Sequence, residues 1–428
     1  MPRLTRDRTT WLTYAQLGLW GFFLYGFGPV VPLLRDEQGT SAAVAGLHST
    51  GIAVGALAGG ALFAPLARRV GRGRAIWVGL AGVAVGVAAL GALRALPATI
   101  TAVAVIAAFG MMVISGVSVV LTARHGTAAP AALTEANAAC AGMGILAPLV
   151  IGASVDAGWG WRPAMAVEVG LITLVALAAL TFRVRLPQAA PAAAAPGGSP
   201  AADPVDAGTP AEAPRPVPVA DVPRPAAAGA GRRLPSAYWI AWVLMAVTGS
   251  IEVCLSLWTA DVLRTHAGMA AGAASAAVAA IVCGMFVGRL AGGRFALRYR
   301  PVPLLLAALG VSLLGFALFW VAPVGWLAVT GLVVLGLGNA LHYPLAISIA
   351  LAVAGPAADR AAGWASYSMG VGFGIAPVAL GWVADGVGPH LAFLLLPGFI
   401  AAAALLAARL GRALGPHPAA PRSPVAAA

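Results

Sequence analysis

Ala147-Pro148-Leu149-Val150-Ile151-Gly152-Ala153-Ser154-Val155-Asp156 and Ala376-Pro377-Val378-Ala379-Leu380-Gly381-Trp382-Val383-Ala384-Asp385 carry one pattern, Ala-Pro-x3-Gly-x3-Asp, twice in the chain. Each copy closes a long apolar run with a single acid. A second device also recurs: Gly51, Gly55 and Gly59 stand four residues apart in one run, and Gly284, Gly288 and Gly292 do so in another. Small residues at that interval make a flat helix face that another backbone can approach closely. A chain that repeats its helix-packing devices in this way is built of two related helical halves.

The apolar runs decide the solvent. The chain is 60% hydrophobic and only 9% charged, with a mean hydropathy of +0.90, which excludes an ordinary globular protein. A bilayer-spanning helix needs roughly 20 apolar residues. Twelve stretches qualify, at 11–34, 42–66, 75–93, 98–121, 134–156, 163–182, 237–262, 271–293, 302–322, 325–353, 361–386 and 390–410. All 26 basic residues other than histidine are arginines, and they mark the topology. With the N-terminus inside, only Arg35, Arg94, Arg162 and Arg264 fall in outer segments and Arg289 within a span; all the others collect on the cytoplasmic side.

Residues 1–10 read as a cytoplasmic tail and 11–185 as a first six-helix bundle. The segment 186–235 carries a dense run of prolines and alanines and cannot bury enough apolar area to offset the entropy of ordering. It reads as a disordered cytoplasmic linker. A second six-helix bundle follows at 236–412, then a disordered tail at 413–428. The fold class expected is an all-α membrane protein of two pseudo-symmetric bundles. The basic N-terminus precedes an apolar run too long for a signal core, so the first helix is retained. The net charge of +12 sits in short loops beside apolar spans, which favours anionic lipid over nucleic acid. Without a lysine there is no phosphate-cradling loop and no Schiff-base nucleophile. Cys140, Cys254 and Cys283 are too far apart for a metal pair, and no cofactor, metal or catalytic cluster is expected.

Ionisable groups in hydrocarbon cost ~2.5–3.5 kcal/mol each on insertion scales, so each needs a reason to be there. Glu252 lies near the middle of the seventh span and is the candidate for proton coupling. Arg289 lies near the cytoplasmic end of the eighth. At 1.5 Å per residue it stands roughly 10 Å or more along the axis from Glu252, and it reads as a gating or packing arginine or, alternatively, as one that faces an anionic solute. Asn339, His342 and Tyr343 precede Pro344 in the tenth span, where a proline frees carbonyls and broken helices line solute sites. Tyr25 precedes Gly26, Gly28 and Pro29, a run that permits a kink, and Trp258 follows Glu252 by two turns. These five are the substrate-binding candidates. His48 and Glu168, in the outer thirds of the second and sixth spans, are gating or structural.

With these features the chain resembles the major facilitator superfamily from Trp11 to Arg412. The family's loop between the second and third helices, usually Gly-x3-Asp-Arg-x-Gly-Arg-x-Arg/Lys, stands here as Ala64-Pro65-Leu66-Ala67-Arg68-Arg69-Val70-Gly71-Arg72-Gly73-Arg74. The basic half, Arg69, Arg72 and Arg74, is intact, but Arg68 replaces the acid that helps latch the bundles. The seventh and eighth spans, with Glu252, Trp258 and Gly288-Arg289-x2-Gly292-Gly293-Arg294, are most similar to bacterial members of the fucose-permease-like branch. The resemblance implies a monomeric secondary transporter in the bacterial plasma membrane, both termini cytoplasmic. It would move a small organic solute by alternating access, coupled to protons, with export favoured over import of a sugar or carboxylate. A non-transporting sensor or scaffold would instead need a central cavity filled by large apolar side chains.

Overall fold

The computed structural model of the protein describes residues 5–184, 186, 234–322, 324–354 and 358–414, and its regular structure is helical throughout. Among the described residues, twelve helices are long and apolar enough to cross a bilayer. They are spans 1 (Arg8–Gln38), 2 (Ala42–Val70), 3 (Arg72–Ala92), 4 (Leu96–His125), 5 (Ala131–Asp156) and 6 (Arg162–Thr181). Spans 7 (Ser236–Thr265), 8 (Ala271–Gly292), 9 (Pro301–Trp320), 10 (Gly325–Ala354), 11 (Tyr367–Val387) and 12 (Pro389–Arg412) complete the set. Most of the expected linker, and the tail beyond 414, lie outside the described residues.

The helices run beyond the apolar stretches, because backbone hydrogen bonding continues past the hydrocarbon until a cap ends it. Span 1 begins at Arg8, inside the expected tail. Asp7 caps it, accepting the Thr10 amide at 3.0 Å and the Thr10 hydroxyl at 2.7 Å. Arg124 at the end of span 4 pairs with the same carboxylate. Partial burial alone would raise the pKa of Asp7, but these donors outweigh it and hold it at about 2. The cap therefore stays charged at all but strongly acid pH. Span 1 remains one helix through Pro29 and Pro32 as far as Gln38, so the expected kink does not interrupt it.

Spans 1–6 form one bundle and spans 7–12 the other, and the glycine stripes do the same work in each. Span 2 lies on span 4. A Cβ at Gly51 would stand 3.1 Å from the Ile100 carbonyl oxygen, and one at Gly55 or Gly59 would run into the carbonyls of Ala104 or Ala108. Span 8 lies on span 10 in the same way, with Gly284 and Gly288 against the carbonyls of Val333 and Leu337. In a bilayer this close packing substitutes for the hydrophobic drive that lipid removes.

Across the bundles, span 5 packs along span 8, span 2 along span 11, and span 1 on span 7. Span 10 breaks at Ala340 and Leu341 into Gly325–Asn339 and His342–Ala354, just before Pro344. Span 8 is also interrupted, at Val278, where no proline announces it.

Replacing Gly59 by Leu is expected to lower the melting temperature of the purified protein clearly, since the added Cβ meets backbone that cannot step aside; overpacking of this kind costs about 1–3 kcal/mol or more. Gly170→Ala, where nothing lies within 4 Å of the new methyl, is the matched control and should melt as wild type. Equal melting of all three proteins would contradict this account of the packing.

Candidate functional site

A cavity of about 1120 Å³ lies between the two bundles. Its walls come from the middles of the spans and their halves nearer the N-terminal face: Leu17 to Tyr25 of span 1, Ile52 to Ala61 of span 2, and Phe286 to Gly292 of span 8. Span 7 contributes Glu252 alone. The cavity therefore reaches from mid-membrane towards the face that carries the N-terminus, and it ends where the opposite halves of the spans meet.

Most of the lining is apolar, including Trp20, Leu24, Ile52, Phe286, Leu345 and Phe373. Five of the residues singled out in the sequence share it: Tyr25, Glu252, Arg289, Asn339 and Tyr343. Glu252 is the one acid and Arg289 the one base among the lining residues. Arg289 Nη1 donates to Tyr25 Oη across the bundle interface at 3.4 Å. It forms no ion pair with Glu252, in line with the axial offset read from the sequence. Arg289 thus lines the cavity and reaches across to the first bundle. Asn339 and Tyr343 reach the wall because the break in span 10 sets both beside the cavity. Asn137, Ser115 and Ser348 add polar atoms that the sequence reading passed over, since isolated small polar residues in an apolar run give no signal.

Two substrate-binding candidates do not reach the cavity. Trp258 is fully buried within the protein. Six residues at about 100° each turn it roughly 240° from Glu252, towards another side of the helix. His342 is buried on the side of span 10 that faces span 9, its Nε2 3.1 Å from the Ser312 hydroxyl. His48 and Glu168 are also fully buried, so neither stands in an outer mouth open to water. His48 is held by the Ala45 carbonyl at 2.9 Å and the Thr99 hydroxyl at 3.0 Å. Glu168 has no protein hydrogen-bond partner for either carboxyl oxygen. Arg68, Arg69 and Arg74 are exposed and Arg72 is half-buried; among the described residues none of the four forms an ion pair.

The closed end of the cavity is held by charge. Arg35 at the end of span 1 grips Asp261 near the end of span 7 through two hydrogen bonds, Nη1 to Oδ2 at 2.6 Å and Nη2 to Oδ1 at 3.0 Å. Asp36 accepts in return from Arg264 at 2.8 Å. Asp385 takes the amides of Ala42 and Ala43 at 2.7 and 3.0 Å, at the start of span 2. Among the described residues, the ion pairs that join the two bundles all lie at this face. Sequence reasoning missed the clamp, although its signal was present: an acid and an arginine close span 1 and another such pair closes span 7.

The Major Facilitator Superfamily model matches residues 15–358 and, in a second overlapping match, 263–427. The chain belongs to the major facilitator superfamily. Solved structures of such transporters agree with the fold. A bacterial homologue of the human lysosomal transporter Spinster, inward-facing and unoccupied, matches with a TM-score of 0.71 at 14% identity, over 95% of this chain and 97% of that one. A mutant of the nucleoside transporter NupG matches with a TM-score of 0.71 at 14% identity, over 94% and 98%. A variant of the Escherichia coli fucose:proton symporter FucP matches with a TM-score of 0.55 at 17% identity, over 94% and 98%. At these identities the likeness speaks for the fold alone. No curated protein matches the chain in sequence. As a superfamily member the chain is a multi-pass membrane protein of a transporter family.

The clamp makes a direct expectation. In a chain whose three cysteines are replaced by serine, a cysteine at Ser256, packed where a Cβ on Gly28 would collide, should react slowly with maleimide. Adding Asp261→Asn should raise that rate several-fold by taking from Arg35 its partner in the other bundle and leaving it only Asp36 of its own span, and an unchanged rate would remove the clamp's role.

Proposed function

We propose that the chain is a monomeric, proton-coupled secondary transporter that moves a small organic solute by alternating access across the bacterial plasma membrane. Its termini face the cytoplasm, as the arginine distribution implies, so the cavity opens inward. The observation that carries the reading is the pairing of an open central cavity with one lone acid on its wall at mid-membrane. Glu252 is placed to exchange a proton with water in the cavity, and the loading or release of that proton can bias which bundle arrangement is favoured. Tyr25 from one bundle and Asn339 and Tyr343 from the other would contact the solute, so that occupancy is felt by both halves. Arg68, Arg69, Arg72 and Arg74 would act at the cytoplasmic edge when the cavity closes there. A cavity of this volume also argues against a scaffold whose centre is filled by apolar side chains.

The apolar lining supports export of an amphipathic solute. Arg289, facing the same cavity without an acidic partner, supports a second reading, proton-linked uptake of a carboxylate.

The test is accumulation in proteoliposomes under an imposed pH gradient, using labelled neutral, anionic and cationic solutes with apolar bodies. Glu252→Gln is expected to reduce gradient-driven accumulation at least tenfold while leaving exchange without a gradient. Unaltered accumulation in the variant would remove Glu252 as the proton carrier.

A further inference from the structure

The guanidinium of Arg289 is the unusual group in this molecule. It lies within a span, on the wall of a largely apolar cavity, and among the described residues its one hydrogen bond is the long one to Tyr25 Oη at 3.4 Å. An arginine has five N–H donors in a fixed fork, and a planar carboxylate is the group that fits that fork with two parallel bonds. The other arginines within reach of the bundle interface, Arg35 and Arg264, already have such partners in Asp261 and Asp36. Arg289 does not.

We infer that Arg289 and the Tyr25 hydroxyl form an anion subsite for the carboxylate of a solute with an apolar body, and that Glu252 is the internal rival for it. This rests on reading the cavity as the solute site and takes up the carboxylate alternative. The geometry supports it in three ways. The subsite spans the bundles, Tyr25 on span 1 and Arg289 on span 8, so an anion held there touches both moving parts. Phe286, Leu345 and Phe373, which line the same cavity, would receive an apolar body. The charged and titratable groups around Arg289 are few: Glu252 on span 7, Tyr25 on span 1 and Cys140 on span 5, with Tyr343 on span 10 facing Glu252. Of these only Glu252 is a carboxyl, so it is the group whose loading or loss of a proton changes the charge seen by a bound anion.

The consequence is a linkage between solute and proton. With Glu252 protonated, Arg289 carries a net positive charge into the cavity and the carboxylate is attracted. With Glu252 ionised, the pair is internally compensated and the bound anion is repelled by a second negative charge. Solute and proton therefore enter the site together and leave it together.

The test is equilibrium binding to the purified full-length protein without any gradient, with 3-phenylpropanoate, its amide and 3-phenylpropylamine as probes, read by thermal shift and by tryptophan fluorescence, since Trp20 lines the cavity. The carboxylate is expected to bind, and to bind at least tenfold more weakly at pH 8 than at pH 6, while the amide and the amine bind more weakly at pH 6. Glu252→Gln should abolish the pH dependence and keep the tight affinity at both values. Arg289→Gln should lose carboxylate binding at both, and Tyr25→Phe, which removes one hydroxyl only, should weaken it a few-fold while melting as wild type without probe. Amine binding tighter than carboxylate, no discrimination among the probes, no carboxylate binding up to its solubility limit, or a pH dependence that survives in Glu252→Gln overturns the inference. Because no gradient is present, these failures are separable from failure of the transport reading: loss of proton-driven accumulation in Glu252→Gln with no carboxylate binding would keep the transporter and discard the anion subsite.

Discussion

Close approach of backbones between the two bundles is the constraint on which the architecture depends. At Gly152 a Cβ would stand 2.6 Å from the Gly272 carbonyl oxygen, and at Gly381 one would stand 2.5 Å from that of Ala42. One turn further along, Asp156 lies against Gly272 and Asp385 accepts the amides of Ala42 and Ala43. The repeated Gly-x3-Asp pattern thus seats span 5 on the start of span 8 and span 11 on the start of span 2. The glycine gives access in both, and Asp385 answers the backbone amides at the start of span 2, where a negative charge is favoured. Such contacts are broad but made without large interlocking side chains, which suits surfaces that must separate and meet again.

The Arg35–Asp261 and Asp36–Arg264 pairs add a charged clamp to the same face. Asp261 is buried and Arg35 mostly so; removing Arg35 leaves the buried carboxylate without an ion-pair partner among the described residues, and removing Asp261 leaves Arg35 only the more exposed Asp36. At the opposite face the four arginines of the loop between spans 2 and 3 form no ion pair among the described residues, and the cavity lies open towards it. One end is bridged between the bundles by matched charges, while at the other the ion pairs among the described residues stay within the first bundle; the cavity's electrostatics follow from what remains inside: one acid, one arginine and an apolar wall.

The fold was legible because it is written in repeating, long-range signals. Twelve apolar runs, the sorting of arginine, and two glycine devices recurring in each half all survive without knowledge of any single contact. The break before Pro344 was legible for the same local reason, whereas the interruption at Val278 was not, because no residue there restricts the backbone. The site was read in part. Tyr25, Glu252, Arg289, Asn339 and Tyr343 converge on the cavity, but Trp258 and His342 turn away, a matter of helical phase that sequence spacing hints at and tertiary packing decides. The clamp escaped notice because its partners are more than 200 residues apart and sit in loops' edges where charge is unremarkable. His48 and Glu168 were read as gating or structural from depth alone, and packing within the first bundle buries both.

The central claim is that one face opens only as the other closes. Pulsed electron-spin distance measurements in lipid nanodiscs address it directly, with label pairs at Ala95 and Ala267 for the clamped face and at Ala123 and Arg298 for the open one. The account predicts two populations at each face whose weights shift in opposite directions as pH changes: the short distance at the first pair gives way to a longer one as the long distance at the second shortens. A single, unshifting distance at both faces, or lengthening at both together, would contradict it.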